Sequence, residues 1–96
     1  MNRKEHLLTI LSEECMEIGK ECTKALRFGI EDHHPTQTGT NAQKISDEYN
    51  DLLAVIGMLN DEGFLNVQID KDKIKKKQEK VEKYLKYSEE KGTLKE

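Results

Sequence analysis

The sequence predicts an all-α protein, and three observations lead to this fold class. Apolar residues recur at helical spacing in three stretches, and the only proline lies between the first two of them. Charged residues make up 36% of the chain and aromatic residues only 5%, a balance typical of long amphipathic helices with solvated outer faces. A chain of 96 residues forms one domain with much exposed surface. We therefore expect a single helical domain over residues 1–96, with three main helices and at most a short fourth, in a bundle completed by homo-oligomerisation.

The first helix is predicted to begin after Asn2. This residue can cap the helix together with Glu5 at the third helical position, in the arrangement called a capping box. Apolar residues follow at helical period until Gly29, which predicts the C-terminal end. The apolar stripe consists of Leu7, Leu11, Cys15, Ile18, Cys22 and Ala25. Three acidic residues run along the flank of that stripe, namely Glu14, Glu17 and Glu21.

The two cysteines, Cys15 and Cys22, lie seven residues apart on the first helix. At a rise of 1.5 Å per residue they are separated by roughly 10 Å along the axis, too far for a disulfide within the helix. Their place on the apolar stripe predicts buried thiols in a reducing compartment. No apolar run is long enough to span a membrane, and residues 1–10 lack the hydrophobic stretch of a signal peptide. We expect a cytoplasmic protein without a membrane partner.

Residues 29–40 form a predicted loop, because they contain the only proline and show no periodicity. The second helix is expected to begin at Thr40 or Asn41 and to run to Glu62, with Gly63 ending it. Its second half is apolar on every side. A helix that is hydrophobic all round must be covered all round, which two other short helices of the same chain can hardly achieve. This pattern indicates a homodimer or homotetramer.

A third helix is predicted after a short irregular or helical connection over residues 64–69. Asp70 or Asp72 can cap it, and it runs to about Glu90, followed by a frayed tail over residues 91–96. A narrow apolar seam follows this helix and is formed by Ile74, Val81, Tyr84, Leu85 and, at its edge, Ser88. The other side chains of the helix are charged or amides, which predicts a solvated outer face.

Two pairs of carboxylates are the most informative feature for function. Glu14 pairs with Glu17, and Glu48 with Asp51, each at a spacing that sets both side chains on one helix face beside an apolar stripe. If the two helices pack antiparallel through those stripes, the pairs converge, and four partly dehydrated anions require a cation. Mg²⁺ suits such a site because it prefers oxygen ligands. The alternative is that these acidic residues only form helical ion pairs with nearby lysines.

The acidic motifs also resemble a known family. Residues 13–17, Glu-Glu-Cys-Met-Glu, followed by residues 48–51, Glu-Tyr-Asn-Asp, are similar to the EExxE and ExxD motifs of MazG-like, all-α nucleoside triphosphate pyrophosphohydrolases. Residues 12–29 and the Lys-x-x-Lys-Tyr run over residues 80–84 resemble small bacterial and phage members. The similarity extends over about residues 7–87. The stretch between the two acidic motifs is longer than in the usual pattern.

The resemblance implies hydrolysis of a nucleoside triphosphate, often a deoxynucleotide, to the monophosphate and pyrophosphate with Mg²⁺, for which Mn²⁺ can substitute. The metal ligands it implies are Glu14, Glu17, Glu48 and Asp51. Such hydrolysis requires a base for the attacking water, and we expect Glu17 or Glu48 to be both ligand and base. The alternative function is a non-catalytic helical oligomer that binds a cation or nucleotide, or acts as an interaction module.

Cationic and aromatic side chains are candidates for binding the nucleotide. They are Lys24, Arg27, Phe28, Lys80, Lys83 and Tyr84. Structural roles compete with this function. Lys24 can instead pair with Glu21, and Lys80 and Lys83 can instead lie on a solvated face. The place of Tyr84 on the seam favours core packing, and Phe28 has the same alternative. The net charge of −3 and the acidic residues among the lysines of the third helix argue against a nucleic-acid partner.

Overall fold

The computed structural model describes residues 1–32 and 38–95, and these contain three helices and no strand. The helices are α1 (Arg3–Phe28), α2 (Asn41–Asp61) and α3 (Lys71–Glu90). The predicted all-α fold with three main helices is therefore confirmed. The connection between α2 and α3 is irregular, so the described part of the chain has no fourth helix. Residues 33–37 of the predicted loop, and residue 96 of the predicted tail, lie outside the described residues.

Short-range hydrogen bonds begin and end α1 where the sequence predicts. The Glu5 N–H donates to Asn2 Oδ1 at 2.9 Å, and the Asn2 N–H donates to Glu5 Oε1 at 3.2 Å, which completes the capping box. At the other end the Gly29 N–H donates to the Ala25 carbonyl at 2.8 Å. Gly29 has a φ of +96° and a ψ of 139°, a conformation that only glycine adopts readily.

Replacing Gly29 with alanine should destabilise the protein by about 1–3 kcal/mol, since any other residue is strained at this backbone conformation. The matched control is Gly19→Ala in the middle of α1, where an added Cβ meets no atom within 4 Å. That change should stabilise the helix by about 0.5–1 kcal/mol. Urea unfolding of both variants measures the difference, and equal stabilities would contradict the conformation assigned to Gly29.

The second and third helices are capped in the same way. Thr40 and Gln43 form a capping box at α2, in which the Gln43 N–H donates to Thr40 Oγ1 at 3.1 Å. Asp70 caps α3 by accepting the Lys73 N–H at 3.1 Å. Past α3, the N–H groups of Thr93 and Leu94 donate to the Ser88 carbonyl at 2.9 and 3.2 Å, so part of the predicted frayed tail is hydrogen-bonded.

Helices α1 and α2 pack against each other as an antiparallel hairpin, which we call the α1–α2 hairpin. At its first end the Arg3 guanidinium bonds to the Glu62 carboxylate at 2.6 Å. At its other end the Asn41 side-chain N–H donates to the Gly29 carbonyl at 2.7 Å. The apolar core is small and lies near the first end. It consists of the buried Leu7, Val55 and Leu59, with Leu11, Phe64 and Leu65 packed against them.

The buried face of α1 agrees in part with the apolar pattern, since Leu7 is buried and Leu11, Ile18 and Ala25 are half-buried. Cys15 and Cys22 are both exposed, so the expectation of buried thiols is wrong for this chain. The face that α1 turns to α2 contains Leu7 and Glu21, which are both buried, and the half-buried Glu14 between them. These three residues recur every seven positions and point toward α2, which leaves the cysteines beside the packed face and not in it.

Helix α3 stands apart from the hairpin. No Cα atom of α3 lies within 8 Å of a Cα atom of α1 or α2, and every α3 side chain is exposed except the half-buried Ser88. The connection that precedes it is held by Asn60, whose side chain donates to the Val67 carbonyl at 3.0 Å and accepts the Val67 N–H at 2.9 Å. None of the helices in the described residues is long and apolar enough to cross a membrane.

Candidate functional site

Five carboxylates from α1 and α2 converge in the middle of the hairpin. They form the acidic cluster, whose members are Glu14, Glu17, Glu21, Glu48 and Asp51. One carboxylate oxygen from each of Glu14, Glu48 and Asp51 lies within 4.8 Å of the other two. The same holds for the set Glu17, Glu21 and Glu48. The structure therefore brings together all four residues predicted as metal ligands, and Glu48 belongs to both sets.

Three carboxylates of the cluster occupy helix positions that usually bear apolar residues. On α1, Glu14 and Glu21 follow Leu7 at intervals of seven residues, so all three point toward α2. On α2, Glu48 precedes the buried Val55 by seven residues and points toward α1. The same packing that buries the apolar core thus directs three glutamates at one another.

Two oxygens of the cluster are buried without a hydrogen-bond partner among the described residues. Glu21 is only 4% exposed, and its Oε2 accepts no hydrogen bond from residues 1–32 or 38–95. The Oε2 atom of the half-buried Glu14 is likewise buried and unpartnered. A buried carboxylate oxygen without a donor or a cation destabilises the folded state, so such oxygens usually mark a bound ion or ordered water. The arrangement favours a ligand that supplies positive charge.

Positive charge is scarce around the cluster. Across residues 1–32 and 38–95 the only ion pair of the cluster joins Glu21 Oε1 to Lys24 Nζ, at 3.4 Å. Burial first, and then the charges of the other four carboxylates, raise the pKa of Glu48 above its usual value. Five carboxylates with a single lysine therefore carry an excess of negative charge.

The donor set suits a hard divalent cation. All ten potential ligand atoms of the five residues are carboxylate oxygens. Around an octahedral Mg²⁺ with bonds of about 2.1 Å, neighbouring oxygens lie about 3 Å apart and opposite ones about 4 Å apart. The separations within each set, all within 4.8 Å, are comparable with these values. The residues present thus fit Mg²⁺ or Mn²⁺, which share this preference for oxygen.

An apolar hollow of about 320 Å³ lies beside the cluster. Its lining is Cys22, Ala25, Leu26, Ile30 and Ile45. Ala25 follows Glu21 by one helical turn, and Ile45 precedes Glu48 by about one turn, so both helices connect the hollow to the cluster. Its volume lies at the lower end of the range of small-molecule sites, about 300–1,000 Å³.

The predicted substrate-binding residues divide into two groups. Near the hairpin, Lys24 pairs with Glu21, and the Arg27 guanidinium lies 5.2 Å from the centre of the Phe28 ring. The residues on α3 are distant from the cluster of their own chain, because α3 does not contact the hairpin. There the Lys80 Nζ lies 5.9 Å from the centre of the Tyr84 ring. Tyr84 is 61% exposed, so the alternative of core packing is wrong for the single chain.

Glu21 is the member of the cluster that the motif reasoning left out of the ligand set. Its position on the sequence does contain a signal, because Glu21 follows Glu14 by seven residues and Glu17 by four. Both intervals place side chains on one helix face. The ion pair with Lys24 is a sufficient structural role for Glu21 in the sequence, whereas its closeness to Glu17 and Glu48 and the burial of its second oxygen place it in the cluster.

No protein-family model, no curated protein and no solved structure matches this chain. The similarity of the acidic motifs to the MazG-like family therefore stays a prediction, and the case for a function depends on the cluster, the neighbouring hollow and the charges around them.

Proposed function

We propose that this chain is a cytoplasmic, MazG-like nucleoside triphosphate pyrophosphohydrolase that depends on Mg²⁺ and acts as a homodimer or homotetramer. The acidic cluster carries the proposal, because it combines five carboxylates from two packed helices with two buried oxygens that have no partner. Such a site gains stability from a divalent cation, and a cation between carboxylates can in turn bind a polyphosphate. The exposed seam of α3 supports the oligomer.

The reaction requires water to attack the α-phosphorus in line with the departing pyrophosphate. A P–O bond to water forms, the P–O bond to the β-phosphate breaks, and the proton of the water passes to a carboxylate. Glu17 and Glu48 are the candidates for that base, since both belong to the cluster and Glu48 lies between its two sets. Mg²⁺ held by Glu14, Glu17, Glu48 and Asp51 would neutralise the phosphate oxygens and acidify the attacking water.

The apolar hollow is a candidate binding site for the base of the nucleotide. Its lining by carbon and sulfur side chains suits the faces of a nucleobase, and it begins one helical turn from Glu21. A nucleotide with its phosphates at the cluster and its base in the hollow would contact both helices. This division into a charged and an apolar part favours a nucleotide over inorganic polyphosphate.

Pyrophosphate release from a panel of ribonucleoside and deoxyribonucleoside triphosphates, with Mg²⁺ or with a chelator, tests the function. We expect turnover of at least one triphosphate with Mg²⁺ and none with the chelator. Asp51→Asn should lower turnover by about 100-fold or more, because it removes one ligand charge at the site. The control is Asp61→Asn at the exposed end of α2, which removes the same charge outside the cluster and should keep full activity.

Two outcomes would contradict the proposal. Full activity of the Asp51→Asn variant would show that the acidic cluster is not the catalytic site. A melting temperature that Mg²⁺ or nucleotide raises, with no turnover of any triphosphate in the panel, would instead support the non-catalytic binding protein.

A further inference from the structure

Helix α3 has two chemically different sides. One is the seam, along which Ile74, Val81 and Leu85 recur at helical spacing and are all exposed. At about 100° per residue, a second group of side chains is centred about 140° around the helix from the seam. We call this group the lysine–tyrosine face, and its members are Lys76, Lys80, Lys83, Tyr84 and Tyr87. Tyr84 lies at its border with the seam, so a partner that covers the seam leaves most of this face exposed.

The lysine–tyrosine face lines an open groove of about 680 Å³. Every lining residue of the groove belongs to α3, so the groove has one wall and lies open to solvent along the helix. A small molecule binds where several elements enclose it. A surface with a single wall suits an extended chain that keeps one side in water.

The lysines of this face carry charge that the chain does not neutralise. Across residues 1–32 and 38–95 the ion pairs join Arg3 to Glu62 and Lys24 to Glu21, so none of them includes α3. Helix α3 contains 8 lysines and 5 acidic residues, and Glu79 is the only one of these acidic residues that lines the groove. The acidic residues among the lysines argue against a nucleic-acid partner in the sequence, but most of them lie outside the groove. The face therefore attracts a polyanion.

The two tyrosines indicate which polyanion fits. The Lys80 Nζ lies 5.9 Å from the centre of the Tyr84 ring, and the Lys91 Nζ lies 5.4 Å from the centre of the Tyr87 ring. Both tyrosines are more than half exposed, at 61% and 56%. A tyrosine ring beside a lysine can stack on a base while the lysine contacts a phosphate. Bases are free for such stacking in a single strand, whereas in a duplex they stack on one another.

An anionic membrane is a less suitable partner for this helix. A helix that lies in a membrane surface has its lysines on the flanks of its apolar side, so that both contact the membrane together. In α3 the centre of the lysine–tyrosine face is about 140° from the seam, so insertion of the seam would turn these lysines away from the lipid headgroups.

We propose that the lysine–tyrosine face of α3 binds single-stranded nucleic acid, with the lysines at the phosphates and the two tyrosines stacked on bases. The observation that carries the proposal is the shared side of unpaired lysines and exposed tyrosines on a helix that does not contact the hairpin. This binding does not depend on the proposed hydrolysis, because the acidic cluster contributes nothing to it.

Fluorescence anisotropy of a labelled oligothymidylate of about 20 nucleotides, titrated with the full chain, tests the binding. We expect binding at low salt that weakens as salt rises, with a slope of log affinity against log salt of about −2 for three phosphate contacts. A duplex of the same length should bind more weakly, although it has the higher charge density, because its bases cannot stack on the tyrosines. No binding of the oligothymidylate, or equal or tighter binding of the duplex, would overturn the proposal.

Two variants separate the contribution of charge from that of stacking. The triple variant Lys76→Gln/Lys80→Gln/Lys83→Gln should weaken binding by about 10-fold or more and bring the salt slope close to zero. The double variant Tyr84→Leu/Tyr87→Leu should also weaken binding by about 10-fold or more, because it removes two stacking platforms, but should keep the slope of the wild type. Unchanged affinity in either variant would contradict the proposed contacts.

The matched control is Lys71→Gln/Lys75→Gln/Lys86→Gln, which removes the same charge from exposed positions on another side of α3. These lysines are centred about 130° around the helix from the lysine–tyrosine face, so most of the binding should remain. Circular dichroism checks that both triple variants keep the helix, since glutamine and lysine have similar helix propensities. Equal losses in the two triple variants would show attraction by overall charge and would overturn the proposed face. Binding to vesicles of phosphatidylserine and phosphatidylcholine, with none to the oligothymidylate, would assign the helix to a membrane instead.

Discussion

Glu48→Gln should lower turnover by about 100-fold or more and yet raise the melting temperature of the metal-free protein. Glu48 lies between the two sets of carboxylates, and burial and neighbouring negative charges hold its pKa above the usual value. A folded pKa above the unfolded one means that ionised Glu48 opposes folding at neutral pH. Glutamine removes that charge, so the hairpin should gain stability while the site loses a ligand and a candidate base.

The raised pKa of Glu48 also predicts how the stability gain depends on pH. The stability gain of Glu48→Gln should be present at neutral pH, above the raised pKa of Glu48. It should disappear below the ordinary range of carboxylates, where the wild-type side chain is protonated in both the folded and unfolded states. Thermal unfolding followed by circular dichroism, at several pH values and without divalent ions, measures this trend.

The response to Mg²⁺ provides the control for this prediction. Mg²⁺ should raise the melting temperature of the wild type by binding the folded state, and should do so much less for Glu48→Gln. Asp61→Asn, which removes a charge at an exposed position outside the cluster, should respond to Mg²⁺ as the wild type does. If the Glu48→Gln variant is less stable than the wild type when both are free of metal, repulsion among the carboxylates of the cluster does not destabilise the fold.

Leu59→Ala should destabilise the fold by about 2–5 kcal/mol, the usual effect of removing a fully buried leucine side chain. Leu59 has no exposed surface and packs with Leu7 and Val55 in the core. Its carbonyl also accepts the N–H groups of Phe64 and Leu65 at 2.9 and 3.2 Å, so its neighbourhood holds the end of α2. A loss of this size is a large fraction of the stability of a small domain, about 5–15 kcal/mol.

Leu26→Ala is the matched control for the core prediction, because Leu26 is 87% exposed. It removes the same atoms from a surface position and should change stability by no more than about 0.5 kcal/mol. Urea unfolding at a fixed protein concentration compares the two variants. Similar losses in both would show that the apolar core does not centre on Leu59.

The helix boundaries could be predicted from the sequence because the groups that set them are local. Asn2 with Glu5, and Asp70 with Lys73, are three residues apart, so each cap forms without help from distant parts of the chain. For α2 the sequence predicts a start at Thr40 or Asn41, and the helix begins at Asn41 with Thr40 as its cap. The predicted end at Glu62 lies one residue beyond the end of the helix. Helix caps of this kind can be predicted from a few neighbouring residues of the sequence.

The part of the buried face of α1 that contains Glu14 and Glu21 could not be predicted in the same way. Hydrophobic periodicity counts Cys15 and Cys22 as core residues and places Glu14 and Glu21 beside them. The structure instead turns the two glutamates inward, which is unfavourable unless another group compensates for their charge. Among the described residues the only ion pair of these glutamates is with Lys24 of the same helix, and the facing helix adds the carboxylates of Glu48 and Asp51. The contribution of the facing helix is not visible in the pattern of one helix. Departures from the apolar pattern are expected at functional sites.

The position of α3 relative to the hairpin could not be predicted from the sequence either. Its narrow seam at helical spacing predicts a packing surface, but the pattern does not say which chain provides the other side. In the single chain the seam stays exposed, and Tyr84 with it. An amphipathic helix gives the same signal whether it packs within a chain or between chains.

The separation of α3 from the hairpin has a consequence for the order of folding and assembly. Because α3 makes no contact with α1 or α2, these two helices can pair whether or not α3 has found a partner. A newly folded monomer would then present a finished hairpin and an unpaired α3 at the same time. Assembly of an oligomer would follow as a second-order step, and its rate would rise with the concentration of the protein.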